Sequence, residues 1–419
     1  MPDQSSSAPQ SVPDLPSGLT DKNDAFPVYF LDTASVNLAH ADSVQRVNEL
    51  LFNILCQTHD AEIKGQTLIK VHIGEPKCTT RMKPEFTNSS TRFLHYRGAS
   101  SVVAGDTTVA YSGPRGHRQN PNDDTSAYMG LARKHGWCAT GAAGIPFVVL
   151  DRPGTVVPDH FEFTEDHACI KVDGVQRFKD FFPAGGFSAA DFIINHAHLT
   201  LHGLAGLAGC VKSIAMGCSG LPGKLRMHQS LIPFFDRSLC KKCGLCIESC
   251  PENALAESAD NRTISVDSER CIGCGECVAV CKNRAVRLKG KDISDWTLGE
   301  KTLPVRMADY TMGLMNGRWS RTIHVLHLYS ITELCDCVDV KQKPFVDDLG
   351  FLVGKNPFAI DKIAAAILSR ELEQKNIPLD PARMASSDTL ADYVQKMYGI
   401  ISNVPFHPLM LSGASTDKN

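Results

Sequence analysis

The chain has 419 residues, 43% hydrophobic and 21% charged, with a net charge of −3, which fits a globular protein with two or three cores and excludes a fibrous or wholly disordered chain. No stretch is dominated by Lys and Arg, so a nucleic-acid-binding face is not expected. No apolar run reaches the ~18 residues of a membrane span and no basic-then-apolar leader opens the chain, so a cytoplasmic location without membrane attachment is expected.

Residues 1–25, rich in Ser, Pro and Asp, have little to bury and are expected to form a disordered tail. An α/β domain is expected over 26–235, resuming over 291–405, with 406–419 as a second tail. In chain order the patterns predict a helix over 43–55, strands over 67–73 and 101–104, a helix over 125–135 ended by Gly136, and strands over 147–150 and 191–195. Beyond residue 290 they predict a strand over 324–328 and helices over 361–374, with Asp361 as N-cap, and 390–398. This alternation implies a mixed sheet with flanking helices. Several strands end on Gly74-Glu75, Asp106, Asp151 or His196. In open α/β sheets the ligand crevice lies beyond the carboxyl ends of the strands, so these residues are candidates for one site, although each alone also suits a turn.

The segment from His196 to His228 packs four histidines, two cysteines and two lysines among glycines, Gly203, Gly206 and Gly209 included. Glycines at such spacing let backbone approach a ligand closely. Candidate catalytic residues are Lys212, His198, His202 and His228, with Glu75 from the earlier strand end; Lys and His supply protons or hold an anionic group. Asp106 and His196 complete the expected pocket.

Sixteen cysteines in a chain of this length, half of them in two tight runs, point to metal rather than disulfides. The runs are Cys240-x2-Cys243-x2-Cys246-x3-Cys250 and Cys271-x2-Cys274-x2-Cys277-x3-Cys281. Three closely spaced thiolates hold three corners of a cubane, and the fourth Cys of each run serves the other cluster. That rule assigns Cys240, Cys243, Cys246 and Cys281 to one 4Fe-4S cluster and Cys271, Cys274, Cys277 and Cys250 to a second. Gly244, Gly273 and Gly275 lie between ligands, and residues 252–267 suggest a short helix, a turn at Asp260-Asn261 and a strand. Residues 236–290 thus resemble a bacterial two-cluster ferredoxin, an α+β module inserted in the larger domain. Four-Cys zinc sites more often pair two Cys-x2-Cys hairpins. Lys282 replaces the usual Pro after the last ligand. Cys335-Asp336-Cys337 alternates, so on a strand both thiols would share a side, which suits a metal or a redox-active pair. Cys56, Cys138, Cys169 and Cys210 fit no partner pattern and are expected in the core.

VHIGEPKCTTRMKPEF (71–86), the 196–228 segment, CDC (335–337) and NPFAIDKIA (356–364) together resemble the uncharacterised iron-sulfur centre proteins defined by domain of unknown function 362. The resemblance spans most of 65–375 and implies a redox protein. It also matches Cys218, Cys335 and Cys337 to positions where that family tends to have Cys, making the three a candidate third metal site. A shorter resemblance, over about 35 residues, is to nickel-dependent lactate racemases. It implies a ligand pocket around His198 or His202, Lys212 and His228, but Met216 stands where Pro would be expected.

The expected function is an iron-sulfur oxidoreductase. Two 4Fe-4S clusters deliver single low-potential electrons to a His/Lys-lined pocket that reduces a small organic substrate, such as a conjugated or aromatic ring or a C-O or C-S bond. The expected partners are that substrate and an external donor such as a ferredoxin or flavodoxin with its reductase. Alternatives are an electron-transfer or assembly protein docking a partner enzyme, and a metal-cofactor enzyme related to the racemases. No Gly-x-Gly-x-x-Gly nucleotide fingerprint follows a strand.

Overall fold

The structure is a computed structural model that describes residues 26–411 apart from 110–112, 117–124, 138–143, 154–160, 203–204, 229–231, 249, 251–252, 261, 272–276, 278–280, 282, 284, 290–302 and 379–380. The expected tail over 1–25, Cys138, Gly203, Gly273, Cys274, Gly275 and Lys282 lie outside the described residues.

The strands run in chain order β1 (Val28–Asp32), β2 (Gln66–Lys70), β3 (Ser101–Asp106), β4 (Phe147–Val149), β5 (Ile170–Lys171) and β6 (Asp180–Phe181). There follow β7 (Phe192–His198), β8 (Thr200–His202), β9 (Gly206–Ala208), β10 (Ile232–Phe235), β11 (Leu255–Glu257) and β12 (Ile264–Val266). Last come β13 (Val286–Lys289), β14 (Thr322–Leu328), β15 (Gly350–Gly354) and β16 (Phe406–Met410). Eight of them build one mixed sheet in the order β16-β1-β15-β14-β7-β2-β3-β4. β15 pairs antiparallel with both neighbours, and every other pairing in this sheet is parallel. The chain is therefore α/β, as its alternating pattern predicts.

The strands are almost wholly apolar because both faces are covered. Ile69, Ile194, Val325 and Val353 face a core shared with the helices Ala41–Thr58, Asn88–Tyr96 and Ser126–Lys134. Their sequence neighbours Leu68 and Ile193 point to the other side, into a core with the helices Cys210–Ala215 and Leu303–Met315. Leu326 and Leu352 also face that side, against the helix Pro357–Gln374. Period-two alternation thus feeds two helical layers from one sheet. The helix Ala41–Thr58 buries Val47, Leu51, Ile54, Leu55 and Thr58, a single stripe at helical spacing.

The chain runs outward from β2 through β3 to β4, then returns to the other side of β2 as β7 and continues to β14. The strand order therefore reverses between β2 and β7, the position at which open α/β sheets hold ligands beyond the carboxyl ends of their strands. Among the described residues no helix is long and apolar enough to cross a membrane.

The structure differs from the sequence expectations at three places. Asn356, not Asp361, caps the helix Pro357–Gln374, its side chain accepting from the N–H groups of Phe358 and Ala359. Asp361 lies one turn inside and serves another helix: its carboxylate accepts from Cys210 N at 2.7 Å and Val211 N at 3.0 Å. Residues expected to form a helix after Cys250 instead make β11, paired antiparallel with β12. Phe406–Met410, expected in a tail, is an edge strand beside β1.

The strands between Ile232 and Lys289 pair with one another and not with the eight-stranded sheet: β10 with β13, and β11 with β12. The two cysteine runs repeat one hydrogen-bond pattern. Asp236 N–H donates to Ala285 O and Asp267 N–H to Ala254 O, each 2.8 Å. Cys240 N–H donates to Asp236 O and Cys271 N–H to Asp267 O, each 2.9 Å. Each half thus closes on the strand that follows the other run.

Candidate functional site

The reversal between β2 and β7 gathers charged side chains where the apolar strands end. Lys70 closes β2 and Asp106 closes β3, with Lys70 Nζ 3.0 Å from Asp106 Oδ1. Arg115 joins them, Nη2 lying 3.0 Å from Asp106 Oδ2 and Nη1 2.8 Å from Glu75 Oε1. These four side chains are at most 2% exposed, and such burial of charge is sustained only by pairing. Burial alone would raise the Asp106 carboxyl, but Lys70, Arg115 and the adjacent His72 outweigh it and hold it well below the usual range. Asp151, just beyond β4, accepts from the backbone N–H and hydroxyl of Thr108 at 2.8 and 2.6 Å. The acidic strand ends converge as their placement suggested, but the cations that neutralise them, Lys70 and Arg115, carry no local sequence signal beyond a charge beside an apolar run.

Next to this cluster lies the turn of Cys335, Asp336 and Cys337. It is not a strand: Val338 N–H donates to Cys335 O at 3.0 Å and closes a turn that brings both sulfurs to one side. The sulfurs are joined as a disulfide, with the Cα atoms 5.2 Å apart. Asp336 anchors the turn by pointing inward. Its Oδ2 lies 2.7 Å from His198 Nδ1, its Oδ1 accepts from Cys78 Sγ at 3.3 Å, and its carbonyl accepts from Glu75 N–H at 3.1 Å. The other ring nitrogen of His198 faces the Tyr329 carbonyl at 2.6 Å. A carbonyl and a carboxylate both only accept, so His198 carries protons on both nitrogens. Burial opposes that charge, yet Asp336 outweighs it and raises His198, while His198 in turn holds Asp336 below the usual carboxylate range.

Lys212, on the helix Cys210–Ala215, reaches the same turn, its Nζ 3.4 Å from Cys335 Sγ and 3.7 Å from Cys337 Sγ. Burial lowers it to about 8. The helix begins at Gly209, where a Cβ would stand 2.4 Å from Asp361 Oδ1, so glycine lets Asp361 cap the exposed N–H groups and fix where Lys212 points. His202 completes the group: one of its ring nitrogens and the sulfurs of Cys335 and Cys337 all lie within 4.8 Å of one another. His202 Nδ1 accepts from Ala205 N–H at 3.0 Å, so in the neutral ring the proton sits on Nε2.

Of the other residues singled out in the sequence, His228 lies within the field of Lys212, and burial, reinforced by that charge, lowers it to about 4. Its Nδ1 is buried with no hydrogen-bond partner among the described residues. His196 is not part of this cluster: it is bonded to Ser90 Oγ at 2.8 Å and His327 Nε2 at 2.7 Å inside the sheet's core, and burial lowers it to about 3. Cys218 stands apart from Cys335 and Cys337, in the apolar core, its thiol pushed up to about 12 by burial. The trio that converges has His202 in its place. Lys224, buried and lowered by burial to about 8, donates to Thr107 Oγ1 at 2.9 Å. Neither Lys224 nor Cys78 lies in a sequence pattern that marks it as a site residue. Cys169 is exposed and Cys56 half-buried, while Cys210 is in the core as expected.

In the cysteine-rich segment, Cys240, Cys243, Cys246 and Cys281 line one cavity together with Phe235, Ile264 and Ala285. This is the set that the cross-over rule draws from both runs. Cys250 Sγ accepts from Ala254 N–H at 3.3 Å and Cys281 Sγ from Ala285 N–H at 3.2 Å. N–H donors aimed at sulfur suit thiolates, whose charge such bonds stabilise. Gly244 takes the left-handed conformation between ligands, φ +79°, where a side chain would be strained.

A family model described as "Domain of unknown function (DUF362)" matches residues 67–366. Over 73 residues, 16% of the chain, it is 32% identical to pyruvate synthase subunit PorD of Methanothermobacter marburgensis, 84% of which is covered. Among solved structures, a Thermotoga maritima protein aligns with 87% of this chain and 61% of its own at a TM-score of 0.36 and 8% identity. The lactate racemase apoprotein of Thermoanaerobacterium thermosaccharolyticum aligns with 65% of this chain and 50% of its own at 0.29 and 13%. The chain thus spans less than two thirds of either solved protein.

Proposed function

The chain belongs to the family of that domain of unknown function, and from this membership and the site's geometry we propose that it is an iron-sulfur oxidoreductase reducing a small organic substrate at the Lys212 site. The observation that carries the proposal is the convergence of Cys240, Cys243, Cys246 and Cys281, drawn from two separate runs, around one cavity. By the same cross-over rule Cys271, Cys274, Cys277 and Cys250 would hold the second cluster, and Asp267 and Cys271 repeat the hydrogen bonds of Asp236 and Cys240. Residues 232–289 then act as a two-cluster ferredoxin module set within an α/β domain built from the residues on either side, the edge strand Phe406–Met410 included. When bound, the two 4Fe-4S clusters supply low-potential electrons singly.

The remaining chemistry falls to the chain's own side chains. Lys212 holds a proton that it gives up readily, having been lowered to about 8. His202 presents its Nε2 proton beside it, and His228, neutral near pH 7, has a buried Nδ1 with no partner among the described residues. Proton delivery matched to arriving electrons is what a reductase site must provide. Glu75 and His198 are positioning residues in this scheme: Glu75 is tied up with Arg115, and His198 holds Asp336. The electron donor would be a small soluble carrier such as a ferredoxin or flavodoxin with its reductase, and the location cytoplasmic. Iron and acid-labile sulfide in anaerobically purified protein test the first half, with about eight of each per chain expected; four or fewer, or stoichiometric zinc, overturns it.

A further inference from the structure

The turn of Cys335, Asp336 and Cys337 is built like a thiol-disulfide centre. The two sulfurs are within bonding reach, and their Cα separation of 5.2 Å lies inside the range that a disulfide requires. Asp336, between them, is held by His198, Cys78 and the Glu75 N–H, so the turn is rigid on its inner side. A cation, Lys212 Nζ, lies within 3.7 Å of both sulfurs. Cationic neighbours stabilise thiolates. His202 could have made the group a metal site, but its Nδ1 is occupied by the Ala205 N–H. The Nε2 that would remain for a metal therefore bears a proton, and a thiolate pair beside an ammonium group is a poor cradle for a further cation.

We propose that Cys335 and Cys337 form a redox-active dithiol whose substrate class is a low-mass disulfide; the inference rests on the oxidoreductase reading above and names its substrate. Reduction of the Cys335–Cys337 bond consumes two electrons from a low-potential one-electron carrier and two protons, leaving two thiols. Cys337 is half-buried whereas Cys335 is only 3% exposed, so Cys337, the more accessible of the two, attacks the substrate as thiolate. One substrate sulfur bonds to Cys337, and the other leaves as a thiolate that takes a proton. Cys335 then attacks Cys337 Sγ, expels the second substrate thiol and restores the disulfide. Lys212, nearer to Cys335 than to Cys337, is placed to stabilise Cys335 as it becomes the thiolate. The net change is one substrate disulfide to two thiols for two electrons and two protons.

Differential alkylation read by mass spectrometry tests the proposal on the full chain. In the oxidised protein Cys335 and Cys337 should resist iodoacetamide, and after dithionite both should be labelled. Labelling of both in the oxidised state, or failure of dithionite to free them, overturns it. A second arm exposes Cys335→Ser and Cys337→Ser variants to glutathione disulfide. Cys335→Ser should retain one glutathionyl group on Cys337, at least tenfold more than Cys337→Ser retains on Cys335; equal capture, or none, is contrary. Iron counted on the same samples separates the two ideas. Eight iron with failed labelling removes the dithiol alone, whereas correct labelling with little iron removes the two-cluster assignment alone.

Discussion

Charge in this protein is buried in pairs, and the pairing decides which residues remain reactive. Lys70, Arg115, Asp106 and Glu75 neutralise one another, whereas Lys212 is left facing sulfur. Asp361 is a contrasting case, since burial outweighs its two N–H donors and raises it to about 7. A raised carboxyl contributes stability that is present in full below its unfolded value near 4 and is lost as pH rises through about 7. Asp361→Asn should therefore cost roughly 1–3 kcal/mol less at pH 8 than at pH 5. Urea denaturation at the two pH values measures this, and an equal cost at both would contradict the assignment. At this scale the sequence revealed residues whose type is chemical in itself, namely the paired cysteines, Lys212 and His202. It concealed Arg115, Lys224 and Cys78, because a charge or thiol becomes part of a site only through neighbours far along the chain. His196 misled for the same reason: its spacing matched His198, but its ring is spent on Ser90 and His327.

Secondary structure was legible where periodicity ran long. The helix expected over 43–55 extends from Ala41 to Thr58, and the five expected strands lie within or beside β2, β3, β4, β7 and β14. Short elements were not, because β1, β15 and β16 are strands by virtue of the partners they meet, and β11 forms a hairpin with β12 where propensity favoured a helix. The cap exchange shows the limit clearly. Asp361 sits where an N-cap belongs by residue type, but Asn356 takes that role and frees Asp361 to hold the start of Cys210–Ala215. That second role makes a prediction about the element. Gly209→Ala would place a Cβ 2.4 Å from the Asp361 carboxylate, breaking the cap at about 1–3 kcal/mol. Thermal unfolding should register the loss, and Lys212 should shift with its helix; an unchanged midpoint would mean that the helix start does not depend on Asp361.

Across the whole molecule, the strands from Ile232 to Lys289 share no ladder with the eight-stranded sheet, so the two parts should unfold separately. If the proposed clusters are bound, anaerobic removal of iron with a chelator should abolish one calorimetric transition and leave the other within about 2 °C; loss of both would mean that the sheet depends on the cysteine-rich segment. The edge of that sheet has a consequence for synthesis. β1 lies between β15 and β16, so at the ribosome the strand starting at Val28 emerges long before its partners and stays unpaired until Gly350 and Phe406 have followed. Throughout translation its apolar face and open hydrogen-bonding edges are exposed to other nascent chains. A chaperone that shields this segment co-translationally should therefore raise the yield of the folded protein.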